Sequence, residues 1–561
     1  MPIAKLFQAL HEIGATQPAP DVMIFMRAPG GAVYTRVECA PMWACILSVA
    51  MSAGRPDLVA LFTEWRAFQT PKVVNGVPDY TPAAMARQHG ELEEYRRRLA
   101  SLDPRAWPVW QQVDYQIVRA EMNGLDFDYR VLRPWERNPD FYVTVFADES
   151  DQPAREGPHA LGGIELFRFS LPRDADELAR RLAHIPALLQ QARGNLTGNA
   201  RDLWVHGIRD VKAQRAPLAD LAGRATGLAA LAAAVRRAIE ATDAFLAWLE
   251  AQAPSETGAS GVGIENYDWY LANVQLVRHS WADEVLLMQR ELARARATLL
   301  LEEQKNRSLP QQVPLASAEE HARGFDAAVT EYMTFLARRD VLTVRKDMDA
   351  ALRAHVGQYT DKRPLEFFTE IDYRDPVLMR THGYHWFDLA RKDHEPHADP
   401  IRRGALLYNI FNTRTEGFAT AMEEMMMQMG LCDSRPRSRE LVYVLLAQRA
   451  ARALGDLRMH ANQLSLEEAA KFASENTPRG WLRLTGETVW AEQHLYLQQP
   501  GYGTSYLIGK MEIDQILSRK LRGGSTLRQF MDEKDAAGLI PVALLRWELT
   551  GDRSGVPGLK E

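Results

Sequence analysis

Apolar residues recur at mixed three- and four-residue intervals through six long stretches of the chain: 174–196, 218–251, 270–306, 317–339, 403–430 and 437–460. That spacing gathers apolar side chains on one face of a helix, so each stretch predicts an α-helix. Alanine and leucine dominate 218–251, and Arg236, Arg237 and Glu240 mark its wet face. Ser317-x-x-Glu320 and Ser465-x-x-Glu468 have the reciprocal capping pattern, and Gly430 stands where a helix C-cap is expected.

Period-two alternation is rare. Val143–Phe146 and Ile164–Ser170 predict one or two short strands, and Arg133–Pro139 reads as an extended, proline-braced segment. Pro254–Gly261 reads as a flexible loop and Pro310–Pro314 as a stiff connector. There is no repeat of fixed period and no long linker. The pattern predicts a mainly α fold: one large helical body with few short strands. Residues 1–160 form an N-terminal helical portion with short extended segments, and 161–561 the main helical portion carrying the site.

The stretch 437–460 carries more ionisable groups than a buried helix needs. Arg449, Arg452, Asp456 and His460 follow at offsets of three, four and four, among Leu441, Val442, Val444, Leu445, Leu446, Leu454 and Leu457. Such groups are costly to bury unless paired or used, which makes the stripe a candidate site wall. The spacing of Asp456 and His460 permits a carboxylate–imidazole hydrogen bond that suits His460 to moving a proton. The plainer reading is a buried ion pair with Arg452. Arg449 and Arg452 can clamp a substrate carboxylate, or serve as partners for Asp456 and Glu416. Glu492-x-x-x-Tyr496-x-x-x-Pro500-Gly501 and Tyr506-x-x-Gly509 complete the polar signature. Tyr496 is assigned to substrate binding. Tyr506 can donate to a developing oxyanion, or simply bond to backbone.

Composition narrows the classes. The chain has 561 residues, 46 % of them hydrophobic, enough for a large core. A net charge of −6 gives no global attraction to nucleic acid or anionic membranes. Cys39, Cys45 and Cys432 form no C-x-x-C pair, which argues against a disulfide framework and points to a reducing compartment. Met1-Pro2-Ile3-Ala4-Lys5 does not open a signal peptide, and the best apolar run, Met42–Ala53, is too short to span a bilayer as a helix. A cytoplasmic protein is expected, with a small-molecule or peptide-like substrate, no nucleic-acid or membrane partner, and a homodimer as the assembly to test.

Two histidine-rich stretches precede the stripe: His382-Gly-Tyr-His385 and His394-Glu395-Pro396-His397. His-x-x-His on a helix places both rings on one side, so His382, His385 and Glu416 form a candidate ligand set for a divalent ion, zinc first. The second stretch fits a surface turn. The metalloprotease pattern H-E-x-x-H is absent.

Glu416-Gly417-Phe418-Ala419, then Arg449, Arg452, Asp456, His460, Ser465-x-Glu467-x-Ala469, Glu492, Tyr496, Pro500-Gly501, Tyr506 and Gly509 together resemble the bacterial family called domain of unknown function 885. Arg133-Pro134-Trp135, Asn138-Pro139, Ile185-Pro186, Asn195-Leu196 and Glu265-x-Tyr267 extend the likeness more loosely. The resemblance implies a deep internal cleft like that of helical zinc peptidases, and a zinc motif H-E-x-x-P-G-H supported by the glutamate of E-G-W. Here that motif is degenerate. Aligning Asp399-Pro400-Ile401-Arg402-Arg403 with the family's P-P-F-R-R puts His385 on the last histidine and Met379-Arg380 on the first H-E. A rival register puts His382 first, Gly383 in place of the glutamate, and Asp388 last. Leu495 and Ala421 also depart from the family's usual arginine and tyrosine. Both registers lose the water-activating carboxylate, so ordinary peptidase activity is expected to be weak or absent.

The sequence therefore predicts a metallohydrolase-like enzyme with an altered metal centre. His460, Asp456 and Tyr506 are its catalytic candidates. The alternatives are a metal-independent lyase or proton-transfer enzyme built on His460 and Tyr506, and a non-catalytic ligand-binding descendant.

Overall fold

Two helix pairs carry the site. Trp281–Lys305 packs along Ser438–His460, and Asn412–Gln428 packs along Tyr502–Arg522. They belong to a computed structural model that describes residues 56–559, all within a compact unit spanning 53–561. Cys39, Cys45, the opening residues and the apolar run Met42–Ala53 lie outside the described residues. Cys432 is buried.

The fold is mainly α-helical, with two small sheets among the described residues. Val145–Phe146 pairs in parallel with Ile164–Glu165, so the two predicted strands are present but short. The rest of the second run tightens into a 3₁₀ turn, Leu166–Arg168. A second pair, Val73–Val74 with Val77–Pro78, turns through Asn75-Gly76, both at positive φ. That dipeptide is the usual signal for a tight hairpin.

Helices 318–338 and 438–460 match the periodicity closely. The other stretches are cut by local chemistry. Pro186 near the start of Ile185–Asn195 has no N–H to give the Leu182 carbonyl four residues back, and the preceding helix ends at Leu182. Gly227, at positive φ, separates Arg215–Arg224 from Ala229–Gln252. The 270–306 stretch breaks at Leu276, and a capping box at Ser280 and Asp283 restarts it as Trp281–Lys305. The 403–430 stretch becomes helical only from Asn412. Arg133–Pro139 is not extended. Its prolines open two short helical turns, Pro134–Arg137 and Pro139–Tyr142, where a missing N–H costs nothing.

One of the two capping patterns forms in full and the other in half. Ser317 accepts from the Glu320 amide while Glu320 accepts from the Ala316 amide. Ser465 and Glu468 cap each other reciprocally. Gly430, at φ 98°, donates to the Met427 carbonyl and Leu431 donates to Met426, which closes the helix after Gln428.

Helix 412–428 is buried almost all round, and its approach to helix 502–522 is set by two glycines. A Cβ on Gly417 would collide with the backbone of Gly509, and one on Gly509 would collide with the Thr413 carbonyl. Glycine at both positions lets the two backbones touch. The residues flanking that crossing, Glu416 and Tyr506, are thereby brought within bonding distance.

Candidate metal centre

His382 ends helix Pro376–His382, and His385 lies in the first turn of the next helix, Tyr384–His394. The two imidazoles are therefore not on one helix, as their spacing suggested. The break at Gly383 still leaves their rings 5.0 Å apart, edge to face. Ligand atoms of His382, His385 and Glu416 all lie within 4.8 Å of one another, so the cluster offers donors for a divalent ion. His394 is exposed and His397 is half-buried, its Nδ1 accepting from the Asp399 amide. Asp388, the last residue of the rival register, is held by both terminal nitrogens of Arg414, at 3.0 Å each.

The two oxygens of Glu416 have different surroundings. Oε1 accepts from the Tyr502 hydroxyl at 2.6 Å, the Tyr506 hydroxyl at 3.0 Å and the Gln152 amide at 3.1 Å. Oε2 is buried with no hydrogen-bond partner among the described residues, and so is Nε2 of His385. These two atoms lie 3.4 Å apart. This ion-pair contact between a buried carboxylate oxygen and an imidazole nitrogen, with a second imidazole next to it, groups the donor types a zinc-class ion takes.

Electrostatics divide the two histidines. Burial opposes a charge on His385, but Asp151 and Glu416 outweigh it and raise the ring to about 9. Burial would also raise Glu416, yet His385, His382 and the Tyr502 hydroxyl hold it down to about 2. His382 is lowered, mainly by burial and by Arg449, against the pull of Glu423. Its Nδ1 sits 3.0 Å from Glu423 Oε1 and 3.2 Å from Arg449 Nη2. Such outer contacts fix the tautomer of a ligating ring.

Other predicted residues are placed differently. Arg449 is clamped by Glu423, at 2.7 Å on each side, and Arg452 pairs with Glu492 while stacking 4.3 Å over the Tyr506 ring. Neither pairs with Asp456. Tyr496 is buried beside Tyr502, its hydroxyl without a partner among the described residues. Asp456 and His460 do not form the expected short hydrogen bond; their nearest charged atoms are 3.5 Å apart. His460 Nε2 instead donates to the Tyr496 carbonyl at 2.9 Å, and burial lowers the ring to about 4. Asp456 accepts from the Gly503 amide at 2.9 Å, at the start of helix 502–522. Gly501 supplies the positive φ that starts this helix. Tyr506 thus reaches Glu416, whereas Asp456 braces the helix that carries it and His460 braces the preceding helix, Thr488–Gln498.

Three side chains around Glu416 were missed by sequence reasoning. Gln152 and Glu156 come from the irregular segment 147–163, and Tyr502 precedes Tyr506 by one helical turn. Gln152 accepts from Thr415 and donates to Glu416, and its amide lies 3.4 Å from His385 Nδ1. Glu156 lies 3.5 Å from the Tyr502 hydroxyl; burial first, then Asp151, raises it to about 7. The four-residue spacing of Tyr502 and Tyr506 signalled a shared face. So did the seven-residue spacing of Glu416 and Glu423. Nothing local marked Gln152.

A second buried group of metal-binding type, His206, Asp210 and His494, also escaped the sequence reading.

The family described as "Bacterial protein of unknown function (DUF885)" matches residues 70–382 and 385–549. The chain belongs to that family. The two matched stretches meet on either side of Gly383-Tyr384, between the two imidazoles. No curated protein matches the chain. Two solved structures share its fold, each described as a "putative lipoprotein". One, of unknown function, is from Shewanella oneidensis, at 15 % identity and TM-score 0.62, covering 90 % of this chain and 98 % of that one. The other is from Colwellia psychrerythraea, at 16 % identity and TM-score 0.57, covering 88 % and 97 %. The cytoplasmic placement expected from the sequence is not upheld: both of these structures are described as lipoproteins. Among the described residues no helix is long and apolar enough to cross a membrane.

Proposed function

We propose that the chain is a metallohydrolase-like enzyme in which His382, His385 and Glu416 hold a divalent ion, zinc first, within a cleft. Its substrate is a small or peptide-like molecule bearing a carboxylate. The observation that carries this reading is the buried cluster in which His385 Nε2 and Glu416 Oε2 face each other at 3.4 Å, with no other partner among the described residues and His382 beside them. A divalent ion bound there supplies Lewis acidity toward a carbonyl and acidifies water.

The chain's own groups account for the other tasks. Tyr502 and Gln152 hold Glu416 by its Oε1, which leaves Oε2 for the ion. Tyr506, on the same oxygen, can swing its hydroxyl to a developing oxyanion. Glu156, raised to about 7, replaces the missing motif glutamate as the group that takes a proton. Arg449 has both terminal nitrogens on Glu423, whereas Arg452 has one on Glu492, so the substrate carboxylate falls to Arg452 beside Tyr506 and Tyr496. Asp456 acts as a positioning residue through helix 502–522, and His460 through the Tyr496 carbonyl of helix 488–498.

One observation favours a second reading, a metal-free binding protein. The Gln152 amide lies against both Glu416 and His385, and a charged His385 neutralises Glu416 without any ion. Purified chain, dialysed against zinc and then against buffer, is assayed for metal content and for cleavage of a panel of N-acyl amino acids and dipeptides. The enzyme reading predicts retained zinc and a turnover that His385→Ala abolishes and Glu156→Gln lowers with little change in KM. No retained zinc and no cleavage would favour the binding protein.

A further inference from the structure

His206 and Asp210 sit one turn apart on helix Arg201–Ala213, so both side chains leave the same face. His494 comes from helix Thr488–Gln498, which packs against it. The two imidazoles stack 4.1 Å apart, and both aim Nδ1 at one oxygen: His206 lies 2.9 Å and His494 3.1 Å from Asp210 Oδ2. Both rings are buried, while the Asp210 carboxylate keeps 30 % of its surface exposed.

A cavity of about 350 Å³ opens beside them, lined also by Asp140, His159 and Gln498. Gln498, one turn beyond His494, donates to Asp140 Oδ2 at 2.7 Å. His159 donates through Nε2 to the Glu156 carbonyl, which leaves its buried Nδ1 lone pair without a partner among the described residues. Three imidazoles and four carboxylates, with Arg155, therefore border this hollow, which has room for an ion and several waters. Apolar packing needs none of these groups.

We propose that His206, Asp210 and His494 form a second divalent transition-metal site, with its remaining coordination positions open to this cavity. The donor set of two imidazoles and one carboxylate is that of zinc-class sites that keep an open position. Packing Nδ1 of two stacked rings against one carboxylate oxygen preorganises three donors from two helices. Glu156 lines this cavity and also approaches Tyr502, so one irregular segment borders both clusters. The proposal does not depend on an ion at His382, His385 and Glu416.

The test is a Co²⁺ titration of the full chain carrying His385→Ala, which disables the first cluster. The expected result is visible cobalt absorption that saturates at one equivalent and is displaced by Zn²⁺. Adding Asp210→Asn or His494→Ala should weaken Co²⁺ binding by more than about 100-fold, beyond the loss typical of an outer contact. Asp210→Asn is nearly isosteric at a part-exposed position, so an unchanged melting curve separates ligand loss from misfolding. Absence of saturable cobalt binding in the His385→Ala chain would overturn the site, and so would binding that Asp210→Asn leaves unchanged. A failed first cluster would leave both results intact.

Discussion

Tyr502 donates its phenolic hydrogen to Glu416 Oε1 at 2.6 Å, from a helix whose backbone touches the one bearing Glu416. This bond sets which carboxylate oxygen is satisfied and which is left bare. Outer contacts of this kind typically tune metal affinity by about 10- to 100-fold. Tyr502→Phe should therefore weaken zinc binding at the His385 cluster roughly tenfold, read by competition with a chromophoric chelator in an Asp210→Asn background. An affinity unchanged by Tyr502→Phe would show that the phenol does not orient Glu416.

The crossing at Gly417 and Gly509 predicts a stability effect opposite to helix propensity. Alanine in mid-helix gains up to about 1 kcal/mol over glycine. Here the new methyl meets backbone, which cannot move aside as a side chain would. Overpacking of this kind costs about 1–3 kcal/mol. Gly509→Ala should lower the urea midpoint despite its better propensity; a raised midpoint would mean that the helices do not touch there.

His460 predicts how stability follows pH. Its folded-state value, about 4, lies below the ordinary 6.5 because burial favours the neutral ring. The unfolded chain therefore takes up the proton first. The contribution is fully present above pH 6.5 and is lost as pH falls toward 4, on the order of 3 kcal/mol in all. Urea melts at pH 7 and pH 4.5 should show this loss, and His460→Asn should flatten it. An equal slope in both proteins would place the titrating group elsewhere.

The residues that were legible in the sequence were those whose partners lie within a few turns. Ser465 with Glu468, Gly430 after its helix and the long run of helix 438–460 follow from local periodicity and capping. Glu416-Gly417 and Tyr506-x-x-Gly509 were visible as motifs, but their reason is a contact between two helices that no local rule encodes. Asp456 and His460 have the right spacing for each other. The fold gives them backbone partners instead, because a helix start and a buried carbonyl needed satisfying. Gln152 was invisible: it reaches Glu416 across 264 residues of sequence from a segment without periodicity. His206 and Asp210 had a readable four-residue spacing, and only the fold brings His494 to them.

The measurement that bears most directly on the proposed centre is a Zn²⁺ titration of the full chain carrying Asp210→Asn, which leaves the His382, His385 and Glu416 cluster as the site under test. The bare Nε2 and Oε2 atoms predict uptake of one equivalent with release of the His385 proton, and loss of that uptake in Glu416→Gln. A chain that takes up no zinc at saturating concentration, or takes it up equally after Glu416→Gln, would contradict the metal centre.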